Sequence, residues 1–340
     1  MQIRQEAAGT EDAWKLAGKA PGLQIWRIEK FKVVAWPKDQ YGKFYEGDSY
    51  IVLNTYKKPD VEKLFYDVHF WIGKDSTQDE YGTAAYKTVE LDDFLGGDPV
   101  QHREIQGSES RLFLSYFKSV QFLSGGVETG FRAVKPTEYR PRLLHIKGAR
   151  QIVIREVEMS TKSLNKGDVF ILDAGLDIYQ LTTSKSGGME RVKAAEFARS
   201  LDDERGGKPT VHVFSEDDND KAAVAFWTHL GGRGAIAEPT PDVPQKSELR
   251  LFRVSDASGK LQMTEVTPAK RASMDSNDAF IVDAGHEVFV WIGKNASKDE
   301  RKHGLGYATD YLFKNNRPKS LPISRVIEGG ENESFESVWK

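Results

Sequence analysis

The sequence predicts an α/β protein of the mixed, α+β kind, with three domains that each place a short mixed β-sheet between one long and one short helix. Three observations support this prediction. An acidic turn followed by an apolar strand occurs three times, around Asp48, Asp168 and Asp278, at intervals of roughly a third of the chain. Each copy is followed by a second apolar strand and then by a helix that begins near a glutamate. This period is too long for a solenoid and matches the usual size of a domain.

Composition agrees with three folded domains in a soluble protein. The 340 residues are 39% hydrophobic and 11% aromatic, which is enough apolar material for a core in each copy. The net charge is −3, so nothing indicates bulk attraction to nucleic acid. Cysteine is absent, which excludes disulfides and thiolate metal sites, and neither a signal peptide nor a membrane-spanning run is visible. We therefore expect a soluble, intracellular protein.

The first domain is predicted from alternation and from its turn residues. An alternating strand covers residues 23–28, and further strands follow Asp48 and surround Trp71. A long helix is expected over residues 77–95, where the sequence Gly-Gly-Asp-Pro at 96–99 ends it. An extended segment at 100–103 and a short helix at 110–117 complete this domain.

The other two domains repeat this order. The second is predicted to begin with a strand at 141–148, to continue with a helix at 190–203 and to end with a strand at 210–214. The third begins with a strand at 249–254 and contains a helix at 299–313. Three prolines within 238–244 indicate a linker. The predicted divisions are an N-terminal extension (1–20), domains at 21–135, 136–237 and 248–340, and a proline-rich linker (238–247).

Each copy carries one aspartate that leads a strand and one glutamate that leads a helix. Two carboxylates with backbone carbonyls would form the negatively charged, oxygen-rich site that Ca²⁺ prefers. The alternative is a capping box, because Thr77 stands three residues before Glu80 and the third copy repeats that arrangement. The second copy has Gly187 in place of the hydroxyl and retains Glu190, which favours a ligand role. Spacing alone leaves both interpretations open.

Several longer segments resemble the gelsolin family, in particular its three-repeat members of the severin and fragmin type. The matching segments are residues 21–31 (PGLQIWRIEKF), 41–50 (YGKFYEGDSY), 91–95 (LDDFL), 100–104 (VQHRE), 122–127 (FLSGGV) and 165–175 (NKGDVFILDAG). The resemblance runs from about Trp14 to the end of the sequence and preserves domain order. It implies three gelsolin-like repeats, of which the first binds actin monomers and barbed ends, the second binds the filament side and the third is regulatory. The implied activity is calcium-regulated severing and barbed-end capping of actin filaments, with nucleation as a further possibility.

The resemblance also implies a calcium site in each repeat. Its residues are Gly47, Asp48, Glu80 and Val127 in the first repeat, Gly167, Asp168, Glu190 and Asp242 in the second, and Asn277, Asp278 and Glu300 in the third. Asn277 stands where glycine is usual, which a carbonyl ligand tolerates. A further calcium ion, shared with actin, is implied at Asp92, Gly97 and Pro99, where an ordinary Gly-Gly helix stop is the alternative.

The long helix of the first repeat is implied to enter a cleft between two actin subdomains. The contact positions are Gly82, Thr83, Ala84, Tyr86, Asp92 and Asp93. Small residues there permit close approach and Tyr86 supplies an aromatic anchor, although an ordinary helix surface explains the same residues. In the second repeat, a basic patch is implied to meet acidic actin or phosphatidylinositol bisphosphate, with a solvated surface as the alternative. It consists of Arg142, Lys147, Arg150 and Arg155.

Three other functions compete with severing. An enzyme is disfavoured because a catalytic centre seldom needs three near-copies, and the histidines are scattered without a helix-borne pair. A calcium-dependent capping protein that does not sever is the main alternative, since the sequence does not fix how the first two repeats span neighbouring actin subunits. A simple calcium buffer would not need the site around Asp92.

Overall fold

The computed structural model describes residues 11–97, 99–126, 140–148, 151–239, 248–255 and 262–340. Within these residues the fold is mixed α/β with two mixed sheets, as the sequence predicts. The chain divides into two compact units. One consists of the described parts of Met1–Tyr41, Glu46–Tyr116 and Pro244–Lys340, and the other of the described parts of Gly42–Tyr45 and Phe117–Val243.

The elements follow one another in a repeating order of strands, long helix, strand and short helix. The strands are β1 (Gly22–Glu29), β2 (Lys32–Ala35), β3 (Lys43–Tyr45), β4 (Ser49–Lys57), β5 (Leu64–Ile72), β6 (Val100–Ile105), β7 (Ser119–Leu123), β8 (Arg142–Lys147), β9 (Ile152–Val157), β10 (Val169–Asp173), β11 (Asp177–Thr182), β12 (Thr210–Ser215), β13 (Arg250–Ser255), β14 (Gln262–Val266), β15 (Ala279–Asp283), β16 (Val288–Ile292) and β17 (Ile323–Ile327). The α-helices are α1 (Gln78–Phe94), α2 (Arg111–Ser115), α3 (Gly188–Glu204), α4 (Lys221–His229), α5 (Lys298–Lys314) and α6 (Glu333–Ser337).

The first unit is built on a ten-stranded sheet in the order β14-β13-β15-β16-β17-β6-β5-β4-β1-β2. Strands β17 and β6 pair antiparallel, with Ser324 opposite His102. The sequence predicts a short sheet for each copy, and this pairing joins the sheets of the first and third copies edge to edge. The apolar side chains of α1, among them Ala84 and Leu91, pack with Trp14 and Trp26 in the core beneath this sheet.

The second unit is built on a seven-stranded sheet in the order β12-β11-β10-β8-β9-β7-β3. Alternate residues of its strands enter two different cores. Leu144 packs with Ala198 of the long helix α3, whereas Leu143 packs with Phe226 of the short helix α4. Because side chains alternate across a strand, the two helices cover opposite faces, which is the arrangement that the sequence predicts.

Helix boundaries agree closely with the prediction because local capping residues determine them. The helix expected over 77–95 is α1, with Thr77 as its N-cap and Leu95 as its C-cap. The helices expected at 190–203 and 299–313 are α3 and α5, and the short one at 110–117 is α2, capped by Ser110. None of the described helices combines the length and apolar character needed to span a bilayer.

Candidate functional site

Asp48 and Glu80 lie at the same end of the sheet in the first repeat. Asp48 immediately precedes β4 and Glu80 belongs to the first turn of α1, and both are buried. Two hydroxyls connect these positions, since Ser49 Oγ lies 2.8 Å from Ser76 Oγ and Ser76 Oγ donates to Glu80 Oε2 at 3.4 Å. The structure therefore places the residue next to Asp48 in hydroxyl-mediated contact with Glu80, at one end of the sheet.

A glycine after the second strand permits this close packing. A Cβ atom on Gly73 would lie 2.3 Å from the carbonyl oxygen of Glu46, in the turn that carries the aspartate. Gly293 occupies the same place in the third repeat, where a Cβ would lie 2.4 Å from the carbonyl oxygen of Ser276. The second repeat has Thr183 there, and its hydroxyl donates to the carbonyl of the site aspartate at 2.6 Å. The first and third repeats both have the sequence Trp-Ile-Gly-Lys here (71–74 and 291–294), and its glycine permits this backbone contact at the site.

Each helix-leading glutamate also caps its helix. Glu300 Oε2 accepts the backbone N–H of Ser297 at 2.8 Å, and the first copy has the same bond at 3.1 Å. Glu190 accepts the N–H of Gly187 at 3.0 Å and that of Gly148 at 2.9 Å. Gly187 has no hydroxyl, but Glu190 still makes its own hydrogen bond of the capping box. The glycine therefore does not favour a calcium-ligand role for Glu190 over a capping role.

Each strand-leading aspartate faces a basic side chain from the first strand of its repeat. The pairs are Arg27 Nη1 with Asp48 Oδ2 (3.6 Å), His145 Nε2 with Asp168 Oδ2 (2.7 Å) and Arg253 Nε with Asp278 Oδ2 (2.6 Å). Burial alone would raise the pKa of Asp168, but hydrogen bonds from His145 and Asn165 outweigh it and lower that pKa below the ordinary value. Asp168 is therefore ionised at neutral pH, with a basic group already beside it.

These sites offer the donor set that calcium prefers, namely carboxylates beside backbone oxygens. The basic side chains paired with the aspartates show that positive charge is favourable at these positions, which is a second indication that the sites suit a cation. Two implied ligands, Val127 and Asp242, lie outside the described residues. The described start of the linker does reach the second site, because a Cβ on Gly167 would lie 2.5 Å from Pro239 Cβ.

The implied shared site is at the C-terminus of α1. The N–H of Gly97 donates to the carbonyl oxygen of Asp92 at 2.8 Å, and Gly96 and Gly97 both have positive φ, so the Gly-Gly stop is present. Pro99 and the side chain of Asp92 are buried. Arg325 Nη1 of β17 lies 3.7 Å from Asp92 Oδ1. The carboxylate therefore faces the third repeat rather than solvent.

The implied actin-contact positions on α1 separate into two groups. Gly82, Tyr86 and Asp93 are exposed, and Thr83 is half-buried. Ala84 is fully buried in the core, because it lies on the helix face that packs against the sheet. The prediction that Ala84 contacts actin is therefore corrected, and Asp92, also buried, does not belong to the exposed surface in this structure.

Sequence reasoning missed one exposed aromatic beside this surface. Phe31 is at the tip of the turn between β1 and β2 and is 61% exposed. Both Lys30 and Phe31 have positive φ (46° and 67°), a conformation that costs energy for residues other than glycine. An open groove of about 430 Å³ separates this turn from α1. It is lined by Phe31, Gln78, Asp79, Tyr81, Gly82, Thr83 and Tyr86.

The fold also brings together two histidines that appear scattered in sequence. His69 and His102 are opposite each other on β5 and β6, and their rings stack at 4.1 Å. With Glu104 they form a buried group whose ligand atoms are close enough to hold a metal ion. All four ring nitrogens are instead within hydrogen-bonding distance of protein groups. These groups are Glu104, Tyr116, Asp67 and Ser324. The pair therefore forms part of a polar network in the core.

The implied basic patch is carried by β8 and β9, which pair antiparallel. Arg142 Nε donates to Asp173 Oδ2 at 3.2 Å, and the guanidinium of Arg155 lies over the ring of Phe122 at 4.5 Å. Lys147 is half-buried at the end of β8, and Arg150 lies outside the described residues. Arg142 and Arg155 thus have specific partners within the protein.

Comparison with known proteins identifies the repeated unit. A family model described as the gelsolin repeat matches residues 30–114, 150–224 and 260–336. Gelsolin-like protein 1 of Lumbricus terrestris is 48% identical over 340 residues, covering 98% of this chain and 91% of the relative. Severin of Echinococcus granulosus is 41% identical over 358 residues, covering 99% and 92%.

Two further comparisons have more limited coverage or similarity. Gelsolin of Gallus gallus is 43% identical and covers 95% of this chain but only 43% of the relative. A solved complex of Thorarchaeota 2DGel3 with rabbit actin covers 59% of this chain and 100% of that one, at 24% identity and a TM-score of 0.26. A structural likeness this weak carries no argument.

Proposed function

The chain belongs to the gelsolin family, and we propose that it is a calcium-regulated actin-binding protein that severs filaments and caps their barbed ends. The observation that carries this proposal is the exposed aromatic groove beside α1. Severing exchanges actin–actin contacts for contacts with the severing protein, so it requires binding energy and no catalytic group. We therefore propose no enzymatic activity.

The groove has the features of a protein-binding surface. Tyr86 is 67% exposed near the middle of α1, and Phe31 lies across the groove on a strained turn. Exposed aromatic side chains that flank small residues are typical anchors of protein interfaces, because they bury much apolar area at low entropic cost. Gly82 between them leaves room for close approach, since nothing lies within 4 Å of a Cβ built there. A rigid helix with this face suits insertion into a cleft on actin.

The second repeat would hold the filament side while α1 enters the barbed-end contact. Its paired strands β8 and β9 carry Lys147 and Arg155, both half-buried, which we propose as contacts for an acidic surface. The same basic strands make phosphatidylinositol bisphosphate a proposed second ligand. Because the actin cytoskeleton is the proposed partner, we place the protein in the cytoplasm, acting as a monomer on actin monomers and filaments, with nucleation as a further proposed activity.

Calcium control is proposed from the repeated acidic sites and from Asp92. Bound calcium would supply a concentrated positive charge that offsets the clustered carboxylates. In the first unit, Arg325 neutralises Asp92, so a calcium ion shared with actin requires this pair to separate. An ion that binds the separated form better shifts the population toward it. The third repeat is thereby proposed to be regulatory.

Imaging of single, fluorescently labelled actin filaments tests the proposal. Wild-type protein is added in micromolar free calcium or in chelator, and internal breaks that require calcium are expected. Tyr86→Ser is expected to reduce the breakage rate about tenfold. Phe313→Ser is the matched control, because Phe313 is 70% exposed near the end of the equivalent helix α5, away from the groove.

The outcomes distinguish the candidate functions. Barbed ends that stop growing while filaments remain unbroken would establish the alternative, a calcium-dependent capping protein without severing activity. Filaments unaffected in both conditions would reject the actin-binding function altogether. Equal losses for Tyr86→Ser and Phe313→Ser would show that the groove beside α1 is not the contact surface.

A further inference from the structure

The site aspartates of all three repeats are paired with a basic residue from the same position of the fold. Arg27, His145 and Arg253 each belong to the first strand of their repeat. Each is opposite the residue two positions after the aspartate, with Arg27 opposite Tyr50 and Arg253 opposite Phe280. His145 is likewise opposite Phe170. The basic residue is therefore aimed at the aspartate by the strand register and not by a chance surface encounter.

We propose that these first-strand basic residues are internal competitors of calcium, which occupy the site aspartates in the calcium-free protein and lower the calcium affinity of each repeat. The inference rests on the proposed calcium function and names how the same sites are regulated. An ion that coordinates Asp278 must replace the hydrogen bond from Arg253 Nε to that carboxylate, now 2.6 Å long. The observed calcium affinity is thus the intrinsic affinity reduced by the strength of the pair that is broken.

Burial explains why the chain needs such a partner when calcium is absent. The side chain of Asp278 is only 6% exposed and that of Asp48 is fully buried. A buried carboxylate without a counter-charge is strongly unfavourable. The first-strand basic residue therefore stabilises the calcium-free fold, and the same contact opposes the ion that would replace it.

The repeats differ in how easily the basic group leaves. The side chain of Arg253 is 49% exposed, so its guanidinium reaches solvent by a change of rotamer. That of Arg27 is 2% exposed, pairs also with Glu29 and lies over the ring of Trp36 at 4.9 Å. Displacing Arg27 requires repacking, whereas displacing Arg253 does not. The third repeat is accordingly the best place to test the proposal without disturbing the core.

The test is calorimetric titration of the full chain with calcium chloride, together with the calcium-induced rise in Tm. Arg253→Gln is expected to tighten one class of site about fivefold, as for loss of a partly exposed ion pair, and to increase the calcium-induced rise in Tm. Arg253→Lys, which keeps the charge, is expected to remain close to wild type. Arg250→Gln is the matched control, because Arg250 is on the same strand but pairs with Glu265 at 2.8 Å.

The inference requires that the tighter calcium binding of Arg253→Gln arises at the site of the third repeat. Adding Asp278→Asn to Arg253→Gln is therefore expected to abolish it. His145→Gln provides an independent test in the second unit, with the same direction expected for its site. If the wild type binds calcium and neither Arg253→Gln nor His145→Gln binds it more tightly, the inference is overturned while the proposed calcium control stands. Absence of any calcium binding by the wild type would instead reject calcium control itself, and the inference with it.

Discussion

Arg325 Nη1 on β17 lies 3.7 Å from Asp92 Oδ1 at the end of α1, and both side chains are largely buried. Arg325 itself belongs to the antiparallel pairing of β17 with β6, where it is opposite Gln101. A residue of the third repeat thereby neutralises the carboxylate that a calcium ion shared with actin would need. We therefore expect a calcium ion that binds Asp92 to displace Arg325.

Removing Arg325 is expected to lower the calcium concentration needed for severing. Arg325→Gln deletes the charge. Even an exposed ion pair contributes on the order of 1 kcal/mol, and a buried one costs more to break, so the half-maximal calcium concentration is expected to fall at least about fivefold. The measurement is the rate of filament breakage against free calcium. Arg250→Gln, which does not touch Asp92, serves as control. Superimposable calcium curves for Arg325→Gln and wild type would contradict the expectation.

The sequence predicts the features that depend on local rules. Strand and helix boundaries follow from alternation, from the capping residues Thr77 and Ser297, and from the Gly-Gly stop. The three-fold repetition also predicts that each aspartate and glutamate share a site, because copies of one fold place equivalent residues alike. In the first copy, hydroxyls of Ser49 and Ser76 connect the start of β4 with Glu80, and the shared site itself stays a prediction.

The features that sequence reasoning missed depend on contacts between distant segments. The pairing of β6 with β17 brings together residues more than two hundred positions apart, and no local pattern encodes it. The stacking of His69 on His102 follows from a parallel register that becomes visible only when the sheet order is known. Phe31 offered one local signal, because the two-residue turn between β1 and β2 contains no glycine and is therefore strained.

Ser297→Ala and Glu300→Gln are expected to separate helix capping from calcium binding. Ser297 Oγ accepts the N–H of Glu300 at 3.1 Å, so its loss is expected to cost about 1 kcal/mol of stability without changing calcium affinity. Glu300→Gln keeps an acceptor for the cap but removes the charge that a calcium ligand requires. Thermal unfolding and calcium titration of both variants provide the comparison. If Glu300→Gln binds calcium as wild type does, the glutamate is a cap and not a ligand.

Phe31→Ser is expected to weaken binding of actin monomers about tenfold, because an exposed aromatic anchor at an interface contributes in this range. Phe31 is outside the core, so the Tm of the free protein is expected to stay the same. Fluorescence titration of labelled actin monomers measures the affinity. Leu16→Ser, at an apolar position that is 72% exposed and does not line the groove, is the control. Equal losses for both variants would argue against a specific contact at Phe31.

Glu287 makes the stability of the first unit depend on pH. Burial, assisted by the nearby carboxylate of Glu104, raises the pKa of Glu287 to about 7, although hydrogen bonds from Ser324 and Ser334 and the positive charge of His102 oppose the shift. Because the folded-state pKa lies above the unfolded one, this residue stabilises the fold fully at low pH. That contribution is lost as pH rises toward 7.

Glu287→Gln removes this titration while keeping a side chain of similar size and polarity. The wild type must ionise a buried carboxyl between about pH 5 and pH 7.5, and the variant does not. The free energy of unfolding of the variant minus that of the wild type is therefore expected to increase by about 2 kcal/mol over this interval. Urea unfolding at several pH values measures the difference. Glu62→Gln, at a position that is 98% exposed, is expected to run parallel to wild type throughout. Parallel curves for Glu287→Gln as well would mean that Glu287 is already ionised in the folded protein, and that Ser324 and Ser334 stabilise its charge within the core.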